Sequence, residues 1–433
     1  MSKLKFGGSK DLTTGNPMKL ILNFGVPLLF GMLFQQFYNM VDSVIVGKQL
    51  GVNALAAVGS TGSINFMVLG FCIGICNGFA IPIAQAFGAK DTNRLKSYIA
   101  NCAWCSILFA IVLTIIIGIF TKDILTVMRT PADIFDDAYI YIFIIFMGIP
   151  ATILYNMVSG VLRSLGDSFT PVVFLIFSSI LNIILDLILV KRMGVSGAAV
   201  ATVTAQAVSG IICLIYTVKK YRHLNFNKDD WKISTKQMLQ LCKMGIPMGL
   251  QYSITAIGTI VVQSCLNILG STAAAGFAAA SKIEQVFTQA YVALGTTMAT
   301  YCAQNMGAGK YTRIRKGFKS ATLIGFIYAI VTGVIIFFVG KYMTIFFVSE
   351  NVNQIMEYVD IYLRCVSVSF LPLVIVNLYR NGIQGMGYGL LPMTAGIAEL
   401  VGRSGASLIA SHFGSYMGIC LASPAAWVLA GTL

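Results

Sequence analysis

The chain is 433 residues long, 57% hydrophobic and only 11% charged, with a formal net charge of +14 and a mean hydropathy of +0.81. A soluble globular chain carries about 25% charged residues; one this apolar could not cover its own surface, so a water-soluble fold is excluded and lipid is the expected solvent. The positive charge would suggest a nucleic-acid partner only if it were spread over a soluble surface, and its placement along the chain argues against that.

Residues 1–17 are polar, and the apolar run after them is too long for the core of a signal peptide, so no cleavable leader is expected. Twelve apolar segments follow, near 18–46, 54–86, 97–119, 135–160, 171–190 and 196–219, then near 237–268, 276–306, 317–338, 355–382, 389–411 and 415–433. Each is long enough to cross a bilayer core as a helix, which takes roughly 20 residues. Helices are expected because every backbone polar group must be paired inside lipid. None of the segments has the strict alternation of a membrane barrel.

The first segment contains Pro27, which removes a backbone hydrogen bond and suggests a hinge. It then presents Gln35, Tyr38, Asn39 and Asp42, at steps that hold one face of a helix. The second segment ends in Gln85-Ala86-Phe87-Gly88-Ala89. The fourth contains Asn156. The fifth has Ser178, Asn182 and Asp186 at one-turn intervals, and the sixth offers Thr202, Thr204 and Gln206. A basic polar stretch at 220–236 separates this half from the next. The seventh segment opens with Gly245-Ile246-Pro247, and the eighth closes with Gln304-Asn305-Met306-Gly307-Ala308. Glu399 and Arg403 in the eleventh are spaced i, i+4 and are expected to form an internal ion pair. Lys282 and Glu284 in the eighth are two apart and share no helix face.

Lys and Arg fall on alternate loops, 21 on one set against 6 on the other. The larger set includes Lys3, Lys5, Lys10, Lys90, Arg94, Arg163, Lys310, Arg313 and Arg380; the smaller is Lys48, Lys122, Arg129, Lys191, Arg192 and Lys341. The positive-inside rule then predicts a multi-pass protein of the bacterial cytoplasmic (inner) membrane with its N-terminus in the cytoplasm.

An internal repeat organises the chain. Gly25-Val26-Pro27 matches Gly245-Ile246-Pro247, Gln85 and Gly88 match Gln304 and Gly307, and Arg94 matches Arg313. Asn156, Gly166 and Pro171 match Asn377, Gly387 and Pro392, always at an offset near 220. Each repeat holds six helices and returns to its starting side, so the two should be related by a pseudo-two-fold along the membrane normal. The expected division is 1–219 for one lobe, 220–236 for a cytoplasmic linker and 237–433 for the other lobe. Two lobes flanking a cleft suit a carrier that alternates access.

Four carboxylates sit within predicted spans: Asp42, Asp186, Glu284 and Glu399. Each costs about 2.5–3.5 kcal/mol to insert at a helix centre, so each should face the bundle interior. If the first, fifth and sixth helices pack together, Asp42 and Asp186 converge. Two such acids cannot both stay ionised cheaply, so one takes a proton or a cation joins them. The bland alternative is two independent carboxylates, each capped by a hydroxyl or amide. The ten cysteines lie almost all in apolar segments without companion ligands and read as small apolar filler. His223 and His412 are isolated. No clustered His, HExxH motif or nucleophile–base pair supports an enzyme, and no cofactor is expected.

Taken together, Gly25-Val26-Pro27, Gln35 through Asp42, Ala84-Gln85-Ala86-Phe87-Gly88-Ala89, Leu162-Arg163-Ser164-Leu165-Gly166-Asp167 and Leu181 through Asp186 resemble the multidrug and toxic compound extrusion (MATE) family, over essentially the whole chain. The resemblance implies an all-α membrane fold of twelve helices in two six-helix bundles around a V-shaped cavity. It also implies an antiporter that exports bulky organic cations against inflow of H⁺ or Na⁺. The family's N-terminal coupling network maps onto Asp42, Asn182, Asp186, Thr204 and Tyr38, and its bending proline onto Pro27. Na⁺, where it is the coupling ion, would sit at Asp42, Asn182, Asp186 and Thr204. Gln35, Asn39 and Asn156 are expected in the substrate cavity. A second branch couples through carboxylates on the seventh and tenth helices; here those helices show Gln251, Gln263 and Asn377. The match is therefore to the DNA-damage-inducible (DinF-like) prokaryotic branch, acting as a monomer on small organic substrates. The rival is a lipid-linked precursor flippase of the same superfamily, whose cavity needs basic side chains; the N-terminal spans are expected to hold almost none.

Overall fold

A computed structural model describes residues 10–128, 130–346 and 352–432. Lys3, Lys5 and Arg129, which entered the charge distribution, lie outside the described residues, as does the side chain of His223. The described residues form α-helices and short 3₁₀ turns. In chain order these are α1 (Pro17–Leu50), α2 (Val52–Ser60), α3 (Gly62–Gly88), α4 (Thr92–Val127), α5 (Phe135–Met147), α6 (Ile149–Ser164), α7 (Phe169–Met193) and α8 (Val195–Lys220). The second half supplies α9 (Thr235–Ile268), α10 (Ser271–Gly307), α11 (Tyr311–Val339), α12 (Val352–Ser367), α13 (Phe370–Gly385), α14 (Leu391–His412), α15 (Tyr416–Cys420) and α16 (Ala422–Gly431).

These helices make twelve passes, six in each bundle. Seven helical stretches are long and apolar enough to span a bilayer alone, and two bent pairs, α5–α6 and α12–α13, qualify together. The pair α15–α16 is a shorter apolar pass. α10 and α14 are long but more polar, because they turn Thr297, Thr300, Gln304 and Asn305, and Glu399 and Arg403, into the protein. Lipid-facing helices look different: α4 exposes Ile107, Ile111, Ile115 and Ile119, one turn apart. Charges and amides are thus kept away from hydrocarbon while the apolar stripes meet it.

The repeat is visible as geometry. The two bent passes break by 43° and 54°, two to four residues ahead of Pro150 and Pro372, whose rings and missing N–H groups interrupt the helical ladder. After each bend the helix ends at a glycine with positive φ, +84° at Gly166 and +102° at Gly387, a conformation that glycine alone adopts without strain. The chain then re-enters the membrane through α7 or α14.

The bundles cross-pack reciprocally. The first half of α1 lies on the second bundle, with Phe24 and Leu28 against Ala293 and Met298 of α10. In return α9 lies on the first bundle, where Gly245 packs against Phe79 of α3. At the end carrying Lys90, Arg94, Lys310 and Arg313, the repeated glutamines and glycines meet across the pseudo-two-fold. Gln85 donates to the Gly385 carbonyl at 3.2 Å, and Gln304 donates to the Ser164 carbonyl at 2.9 Å. A Cβ on Gly88 would sit 1.9 Å from the Gln304 carbonyl, and one on Gly307 would sit 1.9 Å from that of Gln85. Residues 10–15 run beneath this contact: Lys10 bonds Gly166, while Leu12, Thr13 and Gly15 are held by Gln304, Asn305, Lys310 and Arg313. The basic end is sealed, and the V-shaped cavity lies between the bundles.

Candidate functional site

α1 starts cleanly because Asn16 caps it, its side chain accepting from the Met18 and Lys19 amides, with Pro17 at the first helical position. The helix stays continuous through Pro27 to Leu50. Its stripe of Gln35, Tyr38, Asn39 and Asp42 forms one wall of an open cavity, which Asn65, Tyr141, Asn156 and Thr202 also line.

α7 brings the second acid. Asp167, at the turn before α7, accepts from the Thr170 amide at 3.0 Å and from Lys220 at 2.7 Å, tying the start of α7 to the end of α8. Ser178, Asn182 and Asp186 then recur on the buried face, with Asn182 2% and Asp186 0% exposed. α1 packs along α7, and the Asp42 and Asp186 carboxyl groups come within hydrogen-bond reach of each other. The Oδ1 atoms of both acids are buried without a hydrogen-bond partner. With its amide oxygen turned to the Thr202 N–H, Asn182 donates to Asp186 Oδ2 at 3.3 Å. Around them Thr152 on α6 donates to Gln206 on α8 at 2.7 Å, and Asn156 donates back to the Thr152 carbonyl at 2.8 Å.

Two neighbouring carboxylates in a low-dielectric site repel each other, and a positive charge between them relieves that repulsion. A shared proton converts one oxygen to a donor; a small cation takes both as ligands. Either fits this donor set.

Tyr38, Gln35, Asn39 and Asn156 line the same cavity as Asp42, with Asp186 buried behind it. Thr204 does not join them. It is exposed on α8 in the same stripe as Ile211 and Ile215, because positions two apart on a helix point to nearly opposite sides. Thr202 occupies the place expected for it. Tyr141, from α5, closes the cavity beside the acids; its sequence signal was a tyrosine in an otherwise apolar run.

The cavity continues toward the sealed end as a narrower pocket, and here the expected scarcity of basic side chains is corrected. Arg163 and Arg380, assigned to loops by the charge pattern, lie on α6 and α13 and line this pocket. Arg163 donates to Asn77 on α3 at 2.9 Å. Arg380 pairs with Glu399 at 3.2 Å, and Glu399 also holds Arg403 at 2.8 Å, which is the expected i, i+4 pair with a third member. Gln251, with its oxygen turned to Arg380, accepts from Nε at 2.9 Å. Glu284 lies apart from Lys282, which is exposed, and accepts a hydrogen bond from Tyr362.

The MatE family model matches residues 27–188 and 247–403, one copy in each bundle. The chain belongs to the MatE family. Among its relatives is the probable multidrug resistance protein YoeA of Bacillus subtilis (strain 168), 30% identical over 337 residues that cover 76% of this chain and 73% of the relative. A protein of Shewanella oneidensis named FAD transporter is 22% identical and covers 88% of this chain and 85% of its own length. A solved structure described as the outward-facing conformation of a multidrug resistance MATE family transporter superposes with a TM-score of 0.91 at 21% identity, covering 98% of this chain and 95% of that one. The last likeness concerns the fold. As a MatE protein the chain is a multi-pass transporter of the multidrug efflux family.

Proposed function

We propose that this MatE protein is a monomeric secondary active antiporter of the bacterial cytoplasmic membrane, with its N-terminus inside, exporting small organic molecules against inflow of H⁺ or Na⁺. The observation that carries the reading is the pair of neighbouring carboxyls, Asp42 and Asp186, each with a buried oxygen that no protein group satisfies and that a proton or cation would.

The incoming ion enters from outside, down the limb of the cavity that Asp42 lines, and binds between the acids with Asn182, Thr202 and Tyr38 around them. Its binding removes the repulsion between α1 and α7 and changes their packing. Because the first half of α1 lies on α10 of the other bundle, a shift of α1 is felt at the inter-bundle surface. Pro27, where a backbone hydrogen bond is missing, is the place for α1 to bend. Residues 1–219 and 237–433 are the moving lobes, joined by the 220–236 linker. Exchange follows because ion and cargo bind different states with different affinity. With one relative named for multidrug resistance and another for FAD, family membership leaves room for cargo of more than one charge.

The test is transport in proteoliposomes under separately imposed H⁺ and Na⁺ gradients, with ethidium as a cationic probe and carboxyfluorescein as an anionic one. One gradient drives export by the wild type, and Asp42→Asn and Asp186→Asn each lower the driven rate at least tenfold while remaining folded. Undiminished driven export by both folded variants would refute ion coupling at this pair.

A further inference from the structure

Arg163 and Arg380 come from different bundles and line the same pocket, and the residues lining that pocket include no carboxylate. Asp42 lines the adjoining limb of the cavity, which Arg163 also reaches. Among the described residues Arg163 has an amide partner, Asn77, and no acidic one. Arg380 shares its only carboxylate, Glu399, with Arg403, so its guanidinium is only partly compensated from the protein side. The rest of the polar lining is amide and hydroxyl: Gln251, Asn377, Asn381, Gln384 and Thr300.

Guanidinium groups within a membrane are costly unless something compensates them, and those that persist mark sites of function. A purely structural tie between α3 and α6 would need only a neutral donor to Asn77. Two guanidinium forks with surrounding amide donors form the chemistry that binds carboxylate or phosphate.

We propose that this pocket is an anion subsite: the exported molecule carries a carboxylate or phosphate group that lies between Arg163 and Arg380. The proposal deepens the exporter reading and rests on it, because the pocket counts as a cargo site only in a transporter. Because Asp42 and Arg163 line one limb of the cavity together, a zwitterionic molecule is also accommodated. Because each bundle supplies one arginine, an anionic cargo engages both while the bundles are closed as here. It loses one of them when they move apart.

The test uses the full chain in phosphatidylcholine nanodiscs with no gradient. Equilibrium dialysis compares four probes that differ in charge: phenyl phosphate, benzoate, benzyl alcohol and benzyltrimethylammonium. The two anions bind at least tenfold tighter than the alcohol. Arg163→Gln and Arg380→Gln each remove that advantage, leave benzyl alcohol unchanged, and are partly rescued by the corresponding Lys variants. A lipid arm repeats the experiment with phosphatidylglycerol in the disc, reading retained lipid by native mass spectrometry. Lipid retained by wild type and lost from the Arg→Gln variants assigns the anionic group to a lipid headgroup; anion binding unaffected by phosphatidylglycerol assigns it to a soluble cargo. Should Arg380→Gln unfold, Arg163→Gln carries the comparison, since Arg163 takes no part in an ion pair. Preference for the quaternary ammonium, or anion binding unchanged in folded Arg→Gln variants, overturns the proposal. Loss of ion coupling would instead appear only in the gradient-driven assay, so the two failures are distinguishable.

Discussion

At the scale of single residues, what separates this site from an ordinary polar core is the mismatch between donors and acceptors. Asn182 gives Asp186 one hydrogen bond, yet Oδ1 of each acid is bare. Replacing Asn182 with Ala removes that donor while keeping both acids, and should weaken binding of the driving ion about tenfold or less, one charge-assisted hydrogen bond's worth; ion-concentration dependence of driven transport reads it. Glu399 sits in the opposite situation, one acid between two arginines, 8% exposed. Glu399→Gln leaves Arg380 without an acidic partner and Arg403 without its ion pair, and should cost about 3–5 kcal/mol of stability, read by denaturation in detergent; a loss under about 1 kcal/mol would show that other groups compensate the charges. Asp42 and Asp186 were legible from sequence, because acids are rare in apolar runs and the stripes around them are periodic. Thr202 and Thr204 were equally available on α8, and only the rotation of the helix against α7 decides between them. Arg163 was placed in a loop because it lies one residue from the end of α6, where a charge count cannot tell the last turn of a helix from the loop beyond it.

At the scale of elements, the repeated Gln-x-x-Gly-Ala segment reads in sequence as a match between halves, and its partner choice was invisible. Gln85 reaches Gly385 and Gln304 reaches Ser164, pairings 300 and 140 residues apart in the chain. They arise from packing of α3 against α10. The glycines make this approach possible: a Cβ on Gly88 would lie 1.9 Å from a carbonyl oxygen. Gly88→Ala should therefore destabilise the sealed state by about 1–3 kcal/mol, the usual cost of forced overpacking. Cysteine-accessibility labelling of the pocket from the basic side should rise by a corresponding factor; equal labelling in wild type and variant would mean that this contact does not hold the seal. The strap at residues 10–15 adds a second tie. Arg313 donates to the Gly15 and Leu12 carbonyls, and Arg313→Ala should raise the same labelling without altering the fold.

At the scale of the whole molecule, twelve passes, two bundles and their symmetry were all legible, because membrane insertion leaves a long, simple record in hydropathy and in the side on which Lys and Arg fall. Less legible was how the bundles interlock: α1 belongs to the first repeat in sequence, yet its first half packs on the second bundle. That cross-packing makes a local event at Asp42 and Asp186 into one that both bundles feel. Charge is also arranged at this scale, with Asp42 along one limb of the cavity, Arg380 along the other and Arg163 reaching both, an arrangement that no single segment reveals.

The most direct measurement is infrared difference spectroscopy of the protein in lipid, stepping proton concentration in sodium-free buffer and then adding Na⁺. Wild type should give a carboxyl signal that responds to one of these ions, and that signal should be missing from both Asp42→Asn and Asp186→Asn. A full wild-type signal in both variants would place the ion somewhere else and contradict the account.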